Sequence, residues 1–382
     1  MNTLRHVSAN VLLTGMVSIL AGAALPANAA SVRVASNGVD TNSCGSASKP
    51  CRSISRAIAN AKTGDAILVG PGRYGDIDND GDFLDPGDEA ANTSDGCIVC
   101  IRKAVRISST AGAAATVIDA GGTQIPGLTN VVIIYADNTE FGAEYRGLTI
   151  ANSAYYGLQV LSAGNVQVVG NVALNNLEVG FIFATQNGKI RASYNIATGG
   201  GMGFMVTRGS SSAPGFAELT KNTATGNTQG GYSVFGSDVP HTAIHKLVAN
   251  ISSHNSNGIS TSDAGTLIRS NVVSANGSGI IINTRDTLIE SNAIVGNDTY
   301  AIIFTPDAGT GNRVAGNNIF GNGQPTCAFY NESGDFVQAS NNYWGAATGP
   351  GTYPADVVCS LATSNVLPFA TSPFDLGNPW MY

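Results

Sequence analysis

The chain has 382 residues, 43% of them apolar and 12% charged, with 47 glycines and a formal net charge of −7. The apolar content is enough for a large core. The acidic balance argues against nucleic acid as a partner, because phosphate binding needs a basic surface, but it is compatible with a polysaccharide held by a few local cations.

Taken in order, the N-terminus reads as an export signal. Arg5 and His6 precede the apolar run Val11 to Leu25, and Ala27-Asn28-Ala29 is a small-x-small cleavage pattern, placing cleavage near Ala29–Ala30. The run is shorter than the ~20 residues a membrane span needs, so a secreted, periplasmic or cell-surface protein without a membrane span is expected. Six cysteines, at 44, 51, 97, 100, 327 and 359, fit an oxidising compartment. Six allow ~15 pairings, which spacing does not resolve. Cys44 with Cys51 would close a short loop, and Cys327 with Cys359 would tie a late segment to the tail. Cys97-Ile-Val-Cys100 lies in an apolar strand with no second such pair, which favours disulfide bonding over zinc.

After the short strand Val32-Arg-Val-Ala, Ser53 is placed to cap a helix whose apolar residues Ile54, Ala57, Ile58 and Ala61 recur at helical spacing, with Gly64 as its stop. Ala66 to Val69 reads as a buried strand. An acidic insertion, residues 75–96, follows. Within it Asp76, Asp78, Asp80, Asp82, Asp85 and Asp88 alternate around Gly81 in the manner of a calcium loop, where Ca²⁺ gathers about six to eight oxygens. A structural calcium ion is therefore expected here, with Glu89 as a further donor.

From Asn171 onward the sequence repeats. Asn-x-x-x-x-Asn occurs as Asn250…Asn255, Asn271…Asn276, Asn292…Asn297 and Asn317…Asn322, with first-Asn intervals of 21, 21 and 25 residues. Periods of this size mark a solenoid. The series runs Asn171, Asn195, Asn222, Asn250, Asn271, Asn292, Asn317 and Asn341, and amides at a fixed register can stack as an inward ladder. In the strand after each repeat, alternation sends Phe181, Phe204, Tyr232, Ile259, Ile280 and Ile302 inward, with Phe183, Val206, Val234, Thr261, Ile282 and Phe304. Ile182, Met205, Ser233, Ser260, Ile281 and Ile303 then face outward without charge. Arg191, Glu218 and Lys246, and likewise Arg269 and Glu290, fall at matching registers and predict outward pairing across strands.

Asn37-Gly-Val-Asp-Thr-Asn, Pro50 through the 53–61 helix, Gly64-Asp65-Ala-Ile-Leu-Val and Pro71-Gly-Arg-Tyr74 resemble the cap and first coil of secreted pectate-lyase-like right-handed parallel β-helix proteins. Ile107 to Asp119 is similar to their second coil, and Asn341-Asn-Tyr-Trp344-Gly with Gly349-Pro350 to their last. The resemblance implies an all-β, right-handed parallel β-helix over residues 31–352, of about eleven coils, with an N-terminal capping helix and a C-terminal tail over 353–382. It also implies a monomer that acts on polysaccharide. That superfamily holds lyases, glycosidases, epimerases, adhesins and copper-maturation proteins, so function must come from the site. For a lyase, a cation must neutralise the uronate carboxylate and a base must take the C5 proton. Lys246, His241, Arg208 and Arg285 are the available cast. Asp263 and Asp286, with Asp238 and Asp307, offer the carboxylate pairs of a glycoside hydrolase, which stand ~5 Å or ~6.5–9.5 Å apart. The expectation is a β-eliminating polysaccharide lyase acting on an acidic glycan, with a non-catalytic, adhesin-like glycan- or surface-binding protein, or a hydrolase, as alternatives.

Overall fold

The computed structural model describes residues 30–377 except 79, 123, 187, 209–214, 238–243, 324–326 and 360–362. The expected export signal lies outside the described residues. Three parallel sheets of 11, 13 and 10 strands wind around one apolar core. We call them sheets 1, 2 and 3 in that order. The middle of the chain visits them in rotation: Val179–Thr185 in sheet 1, Lys189–Ser193 in sheet 2, Ile196–Thr198 in sheet 3, then Met202–Arg208 in sheet 1 again. This is the parallel β-helix the resemblance implies.

Side-chain alternation explains the core. Leu158, Phe181, Phe204, Tyr232, Ile259, Ile280, Ile302 and Phe329 are in register along sheet 1, and all are buried. The rings of Phe181, Phe204 and Tyr232 stack along the axis, with centroids 5.1 and 4.9 Å apart. Trp344 closes the column edge-on to Phe329 at 5.6 Å.

Two of the three corners are built from asparagine. Between sheets 2 and 3, each Asn side-chain oxygen from Asn195 onward accepts both the backbone N–H and the Nδ2–H of the Asn one coil earlier. Asn250, for example, donates to Asn271 Oδ1 from its backbone at 2.9 Å and from its side chain at 3.1 Å. Asn271 does the same to Asn292. The last rung is Asn342, not Asn341. Asn317 donates to Asn342 Oδ1, while Asn341 is exposed and left-handed, with φ 59°. The rule is general at this corner. The residue before each rung (Gly170, Tyr194, Lys221, Ala249, Ser270, Ser291, Gly316, Asn341) has positive φ, which swings the following Asn inward. Five of these residues are neither Gly nor Asn, so the ladder offsets a backbone strain of ~1–2 kcal/mol at each. A second ladder, Asn227, Asn255, Asn276, Asn297 and Asn322, lines the corner between sheets 3 and 1. It ends on Asp356, which accepts from Asn322.

The helix Ile54–Asn60 buries Ile54, Ala57 and Ile58, and Ser53 caps it by accepting from the Arg56 N–H at 3.1 Å. Glu89, from the acidic insertion, accepts from the N–H groups of Ile54 and Ser55, each at 2.7 Å, and from the Ser55 hydroxyl. Burial nonetheless holds its carboxyl above the ordinary range. Glu89 is therefore engaged with the helix rather than with the Asp cluster. Disulfides join Cys44–Cys51, Cys97–Cys100 and Cys327–Cys359. No helix among the described residues is long and apolar enough to cross a membrane.

Candidate functional site

Sheet 1 carries an uncharged outward column, in which Ile182 and Ser233 are themselves buried. Its central outward column is Gln159, Ile182, Met205, Ser233, Ser260, Ile281, Ile303 and Tyr330. It holds no Asp, Glu, Lys, Arg or His. Ser233 and Ser260 share a hydrogen bond of 2.7 Å. Near the C-terminal end Tyr300 and Tyr330 stack with centroids 6.1 Å apart. Two long connections flank this face. The acidic insertion leaves sheet 3 after Gly72–Gly75 and re-enters sheet 1 at Cys97–Ile101. On the other side, residues 236–245 join Gly230–Phe235 of sheet 1 to Lys246–Val248 of sheet 2.

Among the described residues, the predicted catalytic residues do not converge on this face. Arg208 and Asp263 do meet, but inside the protein. Arg208 Nε and Nη2 donate to the two oxygens of Asp263 at 2.8 and 2.7 Å, and both side chains are almost wholly buried. Strand parity explains it. Arg208 lies in register with the buried Thr185, and it follows the inward Phe204 and Val206. Asp263 follows the inward Ile259 and Thr261 in the same way. Between them in this column stands Gly236, where a Cβ would come within 1.8 Å of Asp263 Oδ1. The missing side chain lets Arg208 reach across the intervening coil. His245, also buried, accepts the Ala217 N–H on Nδ1 at 3.0 Å, so its own proton is on Nε2, 3.6 Å from Asp263 Oδ2.

Lys246 lies on sheet 2, away from this face, in register with Glu218, which in turn pairs with Arg191. A hydrogen bond from Lys189 holds the Glu218 carboxyl below its ordinary range, and Lys246 and Arg191 add to the effect. Register thus places Lys246 beside Glu218 as expected, but the ion pair of Glu218 is with Lys189, whereas Arg269 and Glu290 pair as expected. Arg285 Nε donates to its neighbour Asp286 at 2.9 Å, and both side chains are partly exposed. Thr261 pairs with Ile282, so Asp263 aligns with Thr284 and not with Asp286. The expected carboxylate pair is therefore absent from these two positions, because Asp286 sits two residues further round the turn. Asp307 is exposed. His241 and Asp238 lie outside the described residues.

In the acidic loop, carboxylate oxygens of Asp76, Asp78 and Asp80 lie within 4.8 Å of one another, as do those of Asp80, Asp82 and Asp85. Asp80 is common to both groups. The charge of Asp78 raises the Asp85 carboxyl above its usual range, with smaller contributions from burial, Asp80, Asp82 and Asp88. Asp88 stands apart: its two oxygens accept the Ile77 and Asp85 N–H groups. Sequence reading did not find the Tyr300–Tyr330 pair. The coil register carries half of that signal: extending the outward column by one coil reaches Tyr330, whereas Tyr300 stands in register with Ser278.

The model of the family described as "Protein of unknown function (DUF1565)" matches residues 36–262, more than half of the chain. That described as "Periplasmic copper-binding protein (NosD)" matches residues 213–353. No curated protein matches the sequence. Among solved structures, a GH136 lacto-N-biosidase from Eubacterium ramulus is 12% identical over 91% of this chain and 68% of that chain, with a TM-score of 0.49. Pectate lyase Pel9A is 14% identical over 90% and 82%, with a TM-score of 0.47. The A-module of the Azotobacter vinelandii mannuronan C-5 epimerase AlgE6 is 14% identical over 81% and 91%, with a TM-score of 0.42. At these values nothing about activity passes to this chain.

Proposed function

We propose, for a chain that belongs to the family of proteins of unknown function DUF1565, that it is an exported glycan-binding β-helix whose binding surface is the outer face of sheet 1. One observation carries the reading: an uncharged floor of hydroxyl, amide and apolar side chains, ending in the Tyr300–Tyr330 stack and flanked by long loops. Sugars are amphipathic, and a flat sheet of this composition matches their apolar faces and hydroxyl edges together. The three disulfides fit an oxidising compartment. Cleavage by β-elimination is the second reading. It draws on Arg285, a partly exposed cation on the loop after Ser278–Ile282, as the group that would face a uronate carboxylate.

The two readings separate in one assay. The purified mature chain is run through gels containing neutral or uronate polysaccharides, and parallel samples are followed for unsaturated-uronate absorbance with and without Ca²⁺. We expect retardation by at least one polysaccharide, weakened at least ten-fold by Ile303→Asp, and no absorbing product. Retardation by none of them removes the binding reading, and product formation replaces it with the lyase reading.

A structural calcium ion in the acidic loop is part of the same proposal, with Asp80 as the shared ligand. Binding at about 100 times the Kd stabilises a fold by ~2.7 kcal/mol. A chelator is therefore expected to lower Tm by several degrees, and Asp80→Asn to abolish that difference. Equal melting with and without chelator removes the ion.

A further inference from the structure

Away from sheet 1, the end of sheet 3 carries a cleft of about 430 Å³, within the ~300–1,000 Å³ of small-molecule sites. Phe320, at the end of the strand Asn318–Phe320, and Tyr343 form its floor, their rings 69° apart with centroids at 6.3 Å. The tail supplies the walls: Tyr353 and Pro354 on one side and Pro373 on the other. The walls are fixed in place. Asn318 exchanges two hydrogen bonds with the backbone of Phe374, at 2.9 and 2.8 Å. Gly345, with φ 90°, lets the Tyr353–Pro354 segment pass, since a Cβ there would meet Pro354 O at 2.6 Å. Tyr353 is 80% exposed at the rim.

Among the described residues, no acidic or basic side chain lines the cleft, which favours a neutral ligand. The surface leading away from it is neutral too. Phe320 is in register with Val295, Ser274, Ser253, Thr225 and Thr198, one per coil on the outside of sheet 3. After the apolar step at Val295, this column runs on from the aromatic floor as a line of hydroxyls spaced ~4.8 Å apart. A ligand suited to both parts has apolar ring faces, a hydroxyl rim and an extended form.

We infer that this cleft is a second saccharide site, taking the end of a neutral oligosaccharide against Phe320, Tyr343 and Tyr353, with the chain running along the hydroxyl column. The assignment does not rest on the sheet 1 reading, and the two surfaces can be disabled separately. The mature protein is titrated calorimetrically with cellohexaose, xylohexaose and mannohexaose, and with hexagalacturonate as the charged counterpart. At least one neutral hexasaccharide is expected to bind. Tyr353→Ala is expected to weaken that binding at least ten-fold at unchanged Tm, while Ile303→Asp on sheet 1 leaves it within two-fold. Binding by none of the neutral sugars overturns the assignment, as does equal binding of hexagalacturonate. So does binding unaltered in both Tyr353→Ala and Tyr343→Ala, or binding of a decaproline peptide in place of the saccharides.

Discussion

Arg208→Ala is expected to cost about 3–5 kcal/mol of folding stability, because it leaves the Asp263 carboxylate buried without its bidentate partner. Asp263→Ala should cost a similar amount by stranding the guanidinium. The double replacement Arg208→Met with Asp263→Leu removes both desolvated charges, and pairs of this kind are often neutral to exchange for apolar residues. Urea denaturation of the two single variants and the double one therefore tests the role directly. Large single losses with recovery in the double variant mark an internal strut at the corner between sheets 1 and 2. Single variants as stable as the parent would show that the pair is open to water. Gly236→Ala should resemble the single variants, since its methyl group would occupy the space of Asp263 Oδ1. Lys246→Ala provides the contrast. It removes one member of a surface ladder and should cost less than ~1 kcal/mol.

Asn271→Ala is expected to cost at least ~3 kcal/mol, from three buried polar groups left unpaired at ~1–3 kcal/mol each. The backbone N–H and Nδ2–H of Asn250 lose their shared acceptor, and the Leu247 carbonyl loses its donor. The neighbouring rungs cannot rotate to compensate, because each is held from both sides. Asn342→Ala should behave in the same way, by stranding Asn317. Asn341→Gly should stay within ~0.5 kcal/mol, because glycine accepts the left-handed backbone without strain. Equal losses at 341 and 342 would show that the assigned rung is wrong.

The scaffold was legible because its rules are local and periodic. Asn at a repeated interval, and alternation within strands, place the ladders, the inward columns and the charge pairs without reference to anything distant. The same parity also held the fate of Arg208 and Asp263, four residues beyond Phe204 and Ile259. Read as loop residues they looked available for catalysis, whereas counted on from the column they point inward. Asn341 and Asn342 could not be told apart by composition, since only the left-handed backbone selects the second. Glu89 was beyond local reading because its partners, Ile54 and Ser55, stand 34–35 residues earlier. The aromatic cleft was hidden for the same reason: Phe320 and Pro373 are brought together only when the tail folds back over sheet 3.

The two asparagine ladders have a consequence for how such a chain can change. Each ladder closes its corner at nearly constant length, so the third corner absorbs most of the variation between a 21-residue coil and a 28-residue one. Residues 236–245 span that corner in the long coil and 262–266 in the short one. Segments can be lengthened, shortened or exchanged there without disturbing a rung. The molecule is a spine that accepts grafts along a single seam, and that seam borders the outer face of sheet 1.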